Sequence, residues 1–182
     1  MKTKLVILDR DGVINHDSAD YIKSPEEWDP IQGSLEAITI LKDRGYLVAI
    51  ASNQSGIGRQ YFSLKVLAEI HNKLHQLLLK RGCHLDGIFF CPHKPDTNCL
   101  CRKPLPGLIQ SMLTQFNIAN QDTSFIGDSG KDVDAAKLAQ VEPILVRTGN
   151  GVETEKALSE NSQIQIYDNL LQAVNALTIQ DS

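Results

Sequence analysis

No apolar run in this 182-residue chain approaches the ~20 residues that a membrane-spanning helix needs, so no segment is expected to cross a bilayer. A basic surplus is missing too: 18 Lys and Arg stand against 22 Asp and Glu, a formal net charge of −4. That disfavours a nucleic-acid partner held by phosphate neutralisation. Met1 to Lys4 lead straight into an apolar stretch with no secretory pattern, so a cytoplasmic location is expected. Internal repeats, low-complexity tracts and a domain linker are likewise missing, and residues 1–182 are expected to form one domain. Hydrophobic residues make up 42% and charged residues 22%, which is ordinary for a globular protein. No exposed apolar stripe stands out, and a monomer is expected.

What is present is an alternation of short apolar runs with helical patterns. Strands are expected at Leu5–Leu8, Tyr46–Ala51, Gly87–Phe90, Ser124–Ile126 and Ile144–Val146, with a weak one at Ile164–Tyr167. Helices are expected at Ser34–Arg44, Ser63–Arg81, Leu108–Phe116, Val133–Ala139, Thr154–Ser159 and Asn169–Leu177. Gly45 and Gly82 stop the first two, and Ser52–Gly56 reads as a turn. The tail Gln180–Ser182 is expected to fray. Strands separated by helices mean crossover connections, hence an α/β fold with a parallel sheet.

The polar residues that carry chemistry recur at the expected strand ends. Asp9 and Asp11 follow the first strand, with Gly12 permitting a sharp exit. Residues i and i+2 of an extended segment share a face, so both carboxylates should meet one small volume. Ser52 and Asn53 follow the second strand, Arg102 and Lys103 close the loop after the third, and Asp128 with Asp132 follows the fourth. In an open parallel sheet these ends converge on one mouth. Carboxylates without soft ligands suit a hard cation such as Mg²⁺, and the remaining donors suit a phosphate. Like charges that close repel, so the pair suggests either a bound cation or one raised pKa.

Four cysteines in a cytoplasmic chain are not expected as disulfides. Cys91, His93, Cys99 and Cys101 make a complete tetrahedral zinc set with no open position, which marks a structural site. The loop leads directly into Arg102 and Lys103, so the zinc should fix the backbone that presents them. Cys83 is read as a core thiol, and His71 and His75 as surface or core residues.

Asp9-Arg10-Asp11-Gly12-Val13-Ile14, Ser52-Asn53-Gln54, Lys103, and Gly127-Asp128 with Asp132 resemble the four motifs of the haloacid dehalogenase-like phosphatases. The resemblance covers nearly the whole chain. It implies a three-layer Rossmann-like parallel sheet with a minimal cap, Asn53 to Ser63 leaving room for only a small flap. Asp9 would be the nucleophile and a Mg²⁺ ligand, and Asp11 the general acid and base that gives a carbonyl to the metal; those roles require Asp9 ionised and Asp11 protonated, the direction in which a metal on Asp9 and like-charge pressure on Asp11 would push them. Ser52 and Lys103 would hold phosphoryl oxygens, Asp128 would complete the metal site, and Asp132 would stand behind it. Cys-x-His…Cys-x-Cys-Arg-Lys-Pro with Asn15 and Tyr21 is similar to the branch that acts on a small-molecule sugar bisphosphate. There Asn15, Asp17, Tyr21, Ser52, Asn53, Gln54, Ser55, Arg102 and Lys103 would contact substrate, with Arg102 on the distal phosphate. Histidinol-phosphate phosphatases share much of the pattern. A catalytically silent binding protein on the same fold and a nucleic-acid 3′-phosphatase are rival readings of these residues. Two departures stand out: Ser129, with Lys131 two residues on, replaces a lysine frequent after the fourth-motif Gly-Asp, and only five residues separate His93 from Cys99.

Overall fold

The computed structural model describes residues 3–158 and 162–180. Along the chain come β1 (Leu5–Leu8), α1 (Ser34–Asp43), β2 (Leu47–Asn53), α2 (Ser55–Gly58), α3 (Leu64–Leu79), β3 (Gly87–Cys91) and α4 (Gly107–Phe116). After a 3₁₀ turn at Asn120–Asp122 follow β4 (Thr123–Gly127), α5 (Gly130–Leu138), β5 (Glu142–Val146), α6 (Gly151–Ala157), β6 (Gln165–Tyr167) and α7 (Leu170–Gln180). All six strands are parallel, in the order β3-β2-β1-β4-β5-β6. The chain builds outward from β1 in one direction, then returns to its other side with β4. That reversal creates a crevice between the carboxyl ends of β1 and β4, where ligands bind in such sheets.

Both sheet faces are covered, so the central strands are apolar without alternation. Val6 and Leu8 of β1 join Ile38 and Leu41 of α1, Ile70 and Leu74 of α3, and Val174 of α7 in one core. Leu5 and Ile7 face the other way, onto Ile109 and Met112 of α4 and Ala135 of α5. The helices are stopped as their sequences dictate: Ser63 caps α3 by accepting from the Val66 N–H, and Gly45 and Gly82 follow α1 and α3 at positive φ. No described helix is long and apolar enough to cross a membrane.

Several boundaries depart from the sequence pattern. β2 runs through Ser52 and Asn53, which pair with Phe90 and Cys91, because backbone ladder bonds continue whatever the side chain. The expected turn at Ser52–Gly56 therefore gives way to the end of β2 and the start of α2. α5 begins at Gly130, three residues before its first apolar contact, because a reciprocal Ser129–Asp132 capping box supplies its start. α6 spans Gly151–Ala157, earlier than Thr154–Ser159, and Ser159 lies outside the described residues. α7 runs to Gln180; Asp181 and Ser182, expected to fray, lie outside the described residues.

Candidate active site

The crevice is a cavity of about 370 Å³ at the carboxyl ends of the strands. Asp9 continues β1 by one bond, its N–H donating to Ile126 O of β4 at 2.9 Å. The chain then coils: Arg10 O accepts from the N–H groups of Val13, Ile14 and Asn15, and Gly12 takes φ 85°. Asp9 and Asp11 thus share the mouth through this turn rather than through strand alternation. Asp17, Tyr21, Ser52, Asn53, Gln54, Arg102, Lys103, Asp128 and Asp132 line the same cavity. Two of the residues expected to contact substrate do not line it. Asn15 is fully buried behind the wall, donating from Nδ2 to Asp11 Oδ1 and His16 O, both at 2.9 Å. Ser55 is buried at the start of α2.

Lys103 stands at the centre of the floor. Its Nζ lies 2.9 Å from Asp9 Oδ1 and 2.6 Å from Asp132 Oδ1, and donates to Ala51 O at 2.7 Å. Burial disfavours its charge, but Asp132 and Asp9 outweigh burial and hold its pKa above the ordinary lysine value. Both oxygens of Asp132 are committed, Oδ1 to Lys103 and Oδ2 to the Ser129 N–H and hydroxyl. Asp9, Asp128 and Asp132 offer carboxylate oxygens within 4.8 Å of one another. This all-oxygen set fits a hard cation, with Asp132 behind Asp9 and Asp128. Desolvation pushes Asp128 up to about 6, which the Asn150 N–H opposes and the Asp132 charge assists. Asp9 is raised well above the ordinary range by burial, against the pull of Lys103 and with Asp132, Asp128 and Asp11 adding to the rise.

The expected ionisation order of Asp9 and Asp11 is reversed in the chain's own electrostatics. Burial acts to raise Asp11, but the Arg10 guanidinium and hydrogen bonds from Asn15, Arg10 and Gln54 prevail and lower it. Arg10 is buried and grips both oxygens of Asp11, with Nη2 at 2.9 Å from each and Nε at 3.1 Å from Oδ1. Gln54 Nε2 donates to Asp11 Oδ2 at 2.9 Å and to Ser52 Oγ at 2.7 Å. On the outer side of Arg10, Nη1 stands 3.5 Å from His71 Nε2. His71 therefore belongs to the site's support. Burial, then the Arg10 charge, depresses it to about 4, so it is neutral near pH 7. Arg10 and His71 escaped the sequence reading because their roles depend on which way buried side chains turn. Ser129 is spent on capping α5, so Lys131, which lines the mouth, is the cation available on that wall.

Cys91, His93, Cys99 and Cys101 converge beside the mouth. Cys91 Sγ lies 3.5 Å from His93 Nδ1 and 3.7 Å from Cys99 Sγ, and His93 Nδ1 lies 3.3 Å from Cys101 Sγ. Ligands at Zn–S and Zn–N bond lengths around a tetrahedron stand about 3.5–3.8 Å apart, so the four donors fit one Zn²⁺. The cysteines are free and the sulfur separation is far beyond a disulfide bond. Burial pushes the Cys91 thiol up to about 12, so a divalent ion is needed to make it a thiolate. The cluster's backbone is tied to the mouth: Cys91 O accepts from Gln54 N at 2.8 Å, and Pro92 O from Gly58 N at 2.9 Å. Asn53 exchanges hydrogen bonds with the Lys103 backbone at 3.0 and 3.1 Å. The expected core reading of Cys83 agrees with its burial.

By its sheet and its carboxylate–lysine mouth the protein falls in the class of Rossmann-like hydrolases. A family model described as HAD-hydrolase-like matches residues 100–173. The chain is 46% identical over 173 residues to the D-glycero-beta-D-manno-heptose-1,7-bisphosphate 7-phosphatase of Neisseria meningitidis serogroup A, spanning 92% of this chain and 91% of that protein. The Pseudomonas aeruginosa protein of the same name is 45% identical over 178 residues, spanning 97% and 99%. The crystal structure of D,D-heptose 1,7-bisphosphate phosphatase from B. bronchiseptica, complexed with magnesium and phosphate, superposes with a TM-score of 0.94 at 40% identity, covering 98% of this chain and 99% of that one. The chain belongs to the haloacid dehalogenase-like hydrolases, in the family of these heptose-bisphosphate phosphatases.

Proposed function

We propose that the protein hydrolyses the 7-phosphate of D-glycero-beta-D-manno-heptose 1,7-bisphosphate, leaving heptose 1-phosphate for ADP-heptose and lipopolysaccharide-core synthesis. The observation that carries the reading is the division of charge in the mouth. Arg10 is spent on Asp11 and Lys103 on Asp9 and Asp132, while Arg102 and Lys131 have no carboxylate partner among the described residues. Arg102 donates from Nη1 to His93 O at 3.3 Å, and both cations keep their charge free for a second phosphate, since charge-assisted contacts are the strong ones. Histidinol phosphate, the competing substrate, has no second phosphate to offer them.

In this reading Asp9 Oδ1 is held by the Arg10 N–H at 2.7 Å and by Lys103, which leaves Oδ2 to attack phosphorus. The bond from phosphorus to the sugar oxygen breaks, and Asp11 gives that oxygen its proton. A water then loses a proton to Asp11 and attacks the aspartyl phosphate, releasing inorganic phosphate and restoring Asp9. The incoming phosphate charge offsets Arg10 and raises Asp11 toward the protonated form its first task needs. Asp9, Asp128 and the Asp11 carbonyl would hold Mg²⁺, which would supply charge neutralisation to the transferring group. Lys103 and Ser52 align its oxygens, and Asp17, Tyr21, Asn53 and Gln54 face the sugar. Asn15 and Ser55 act behind the wall. Cys91, His93, Cys99 and Cys101 would hold a structural Zn²⁺. The chain is read as cytoplasmic, since so charged a substrate does not cross membranes unaided, and as a monomer. Phosphate release with Mg²⁺ from heptose bisphosphate and from histidinol phosphate, side by side, is the test. A clear preference for histidinol phosphate would sink the reading.

A further inference from the structure

The β5–α6 connection encloses Asp128 from one side. Asn150 donates its backbone N–H to Asp128 Oδ2 at 2.7 Å and its side-chain Nδ2 to the same oxygen at 3.1 Å. Thr154 Oγ1 donates to the Asp128 main-chain oxygen at 2.9 Å. Two glycines close against the same carboxylate: a Cβ on Gly12 would stand 2.2 Å from Oδ2, and one on Gly149 2.1 Å. Both have positive φ, at 85° and 57°, so the backbone shape and the close approach each require glycine. Both hydrogen bonds to the Asp128 carboxylate fall on Oδ2. The Asn150 amide nitrogen also lies 3.4 Å from Asp17 Oδ2, on the loop after β1. Asn150 lines both the catalytic cavity and its neighbour of about 520 Å³.

We propose that Asn150 is a positioning residue that pins Asp128 by Oδ2, presents Oδ1 to the cation, and ties that carboxylate to Asp17 of the substrate loop. The inference rests on the Mg²⁺-dependent reading above. Asp128 shares its surroundings with Asp9 and Asp132, and like charges would turn an unpinned carboxylate away from them. Two donors on one oxygen hold it in place. The residue type matters. An amide nitrogen carries two hydrogens, one for each carboxylate, and adds no charge. Aspartate here would add a repelling anion, and lysine would place a fixed positive charge where the cation must come. Partners behind metal ligands that orient them in this way commonly change metal affinity when removed.

The test is direct Mn²⁺ binding, followed by the loss of the free-ion EPR signal, on protein stripped of Mg²⁺ but retaining its zinc, with no substrate present. Mn²⁺ stands in for Mg²⁺ because both favour oxygen ligands. Asn150→Ala keeps the backbone donor and loses the side-chain one. Its Mn²⁺ Kd should rise about tenfold, at the low end of the usual range for such partners. Asn150→Asp and Gly149→Ala should weaken binding further. The Mg²⁺ concentration for half-maximal phosphate release should rise by the same factor. The melting temperature of the cation-free Asn150→Ala protein should stay within about 2 °C of wild type, as for a substitution outside the core. Unchanged Mn²⁺ affinity in Asn150→Ala would overturn the inference. So would a large drop in cation-free stability that accounts for the weaker binding, because Asn150 would then serve the fold rather than the cation. Failure of the wild-type protein to bind Mn²⁺ would refute the metal-dependent reading itself and take the inference with it.

Discussion

Replacing Cys99 by serine tests how the cysteine loop governs the mouth. The substitution removes one of the four proposed zinc ligands and should free the loop between Cys91 and Cys101. The zinc closes 11 residues, counted inclusively. By loop-closure entropy a cross-link of that length contributes about 3 kcal/mol, the metal acting as the staple. In a domain of this size each kcal/mol moves Tm by about 2–4 °C, so a fall of about 6–12 °C is expected. The damage should reach catalysis by two routes. Asn53 holds the Lys103 backbone from the end of β2, and Gln54, which donates to Asp11 and Ser52, is itself hung from Cys91 O. Loss of one charge-assisted contact at Lys103 is worth about 1.5–3 kcal/mol, or roughly ten- to a hundredfold in kcat/KM. Calorimetry, metal analysis of protein purified without added zinc, and steady-state kinetics measure the three quantities. Mild chelation of the wild type should abolish turnover, and Mg²⁺ alone should restore it while zinc stays bound. A wild-type chain free of zinc, or a Cys99→Ser protein with unchanged Tm and kinetics, would refute the reasoning.

Asp9→Asn keeps the shape but removes the attacking charge, and turnover should drop at least ~10³-fold in a phosphate-release assay; near-normal activity would exclude the aspartyl-phosphate route. Arg102→Ala and Lys131→Ala should each raise KM for the bisphosphate roughly tenfold or more and leave a monophosphate nearly unaffected. A uniform effect on both substrates would place these cations elsewhere. His71 has a folded pKa of about 4 against an ordinary 6.5, so its neutral form is favoured in the fold. Its contribution is present above pH 6.5 and disappears as pH falls toward 4, amounting to at most roughly 3 kcal/mol. Denaturation between pH 7 and pH 4 should therefore show a shallower loss of stability in His71→Gln than in wild type, and parallel curves would deny that His71 is buried neutral against Arg10.

The amino-acid sequence by itself determined the α/β order of elements, the parallel sheet and the set of strand ends that carry polar chemistry. Apolar run length and helical period are local properties, and a residue's place at the end of a run follows from them. The cysteine–histidine cluster was legible for the same reason: four donors that could hold a metal lie within 11 residues, inside one loop. Tertiary structure alone decided the rest. The reach of β2 through Ser52 and Asn53 came from its ladder with β3, since backbone bonds ignore side-chain polarity. The shared mouth of Asp9 and Asp11 came from the turn at Gly12, which had to bring the chain up against Asp128. Arg10, His71 and Asn150 stand on separate segments and take their places at the mouth or behind it only when β1, α3 and the β5–α6 loop are brought together. Asn15 was expected to face the substrate yet stands behind the wall, because sequence proximity does not say which side of a carboxylate a neighbour occupies. Ionisation was the least legible property. The pKa order of Asp9 and Asp11 is set by burial and by Arg10, and both are products of how distant segments close around them.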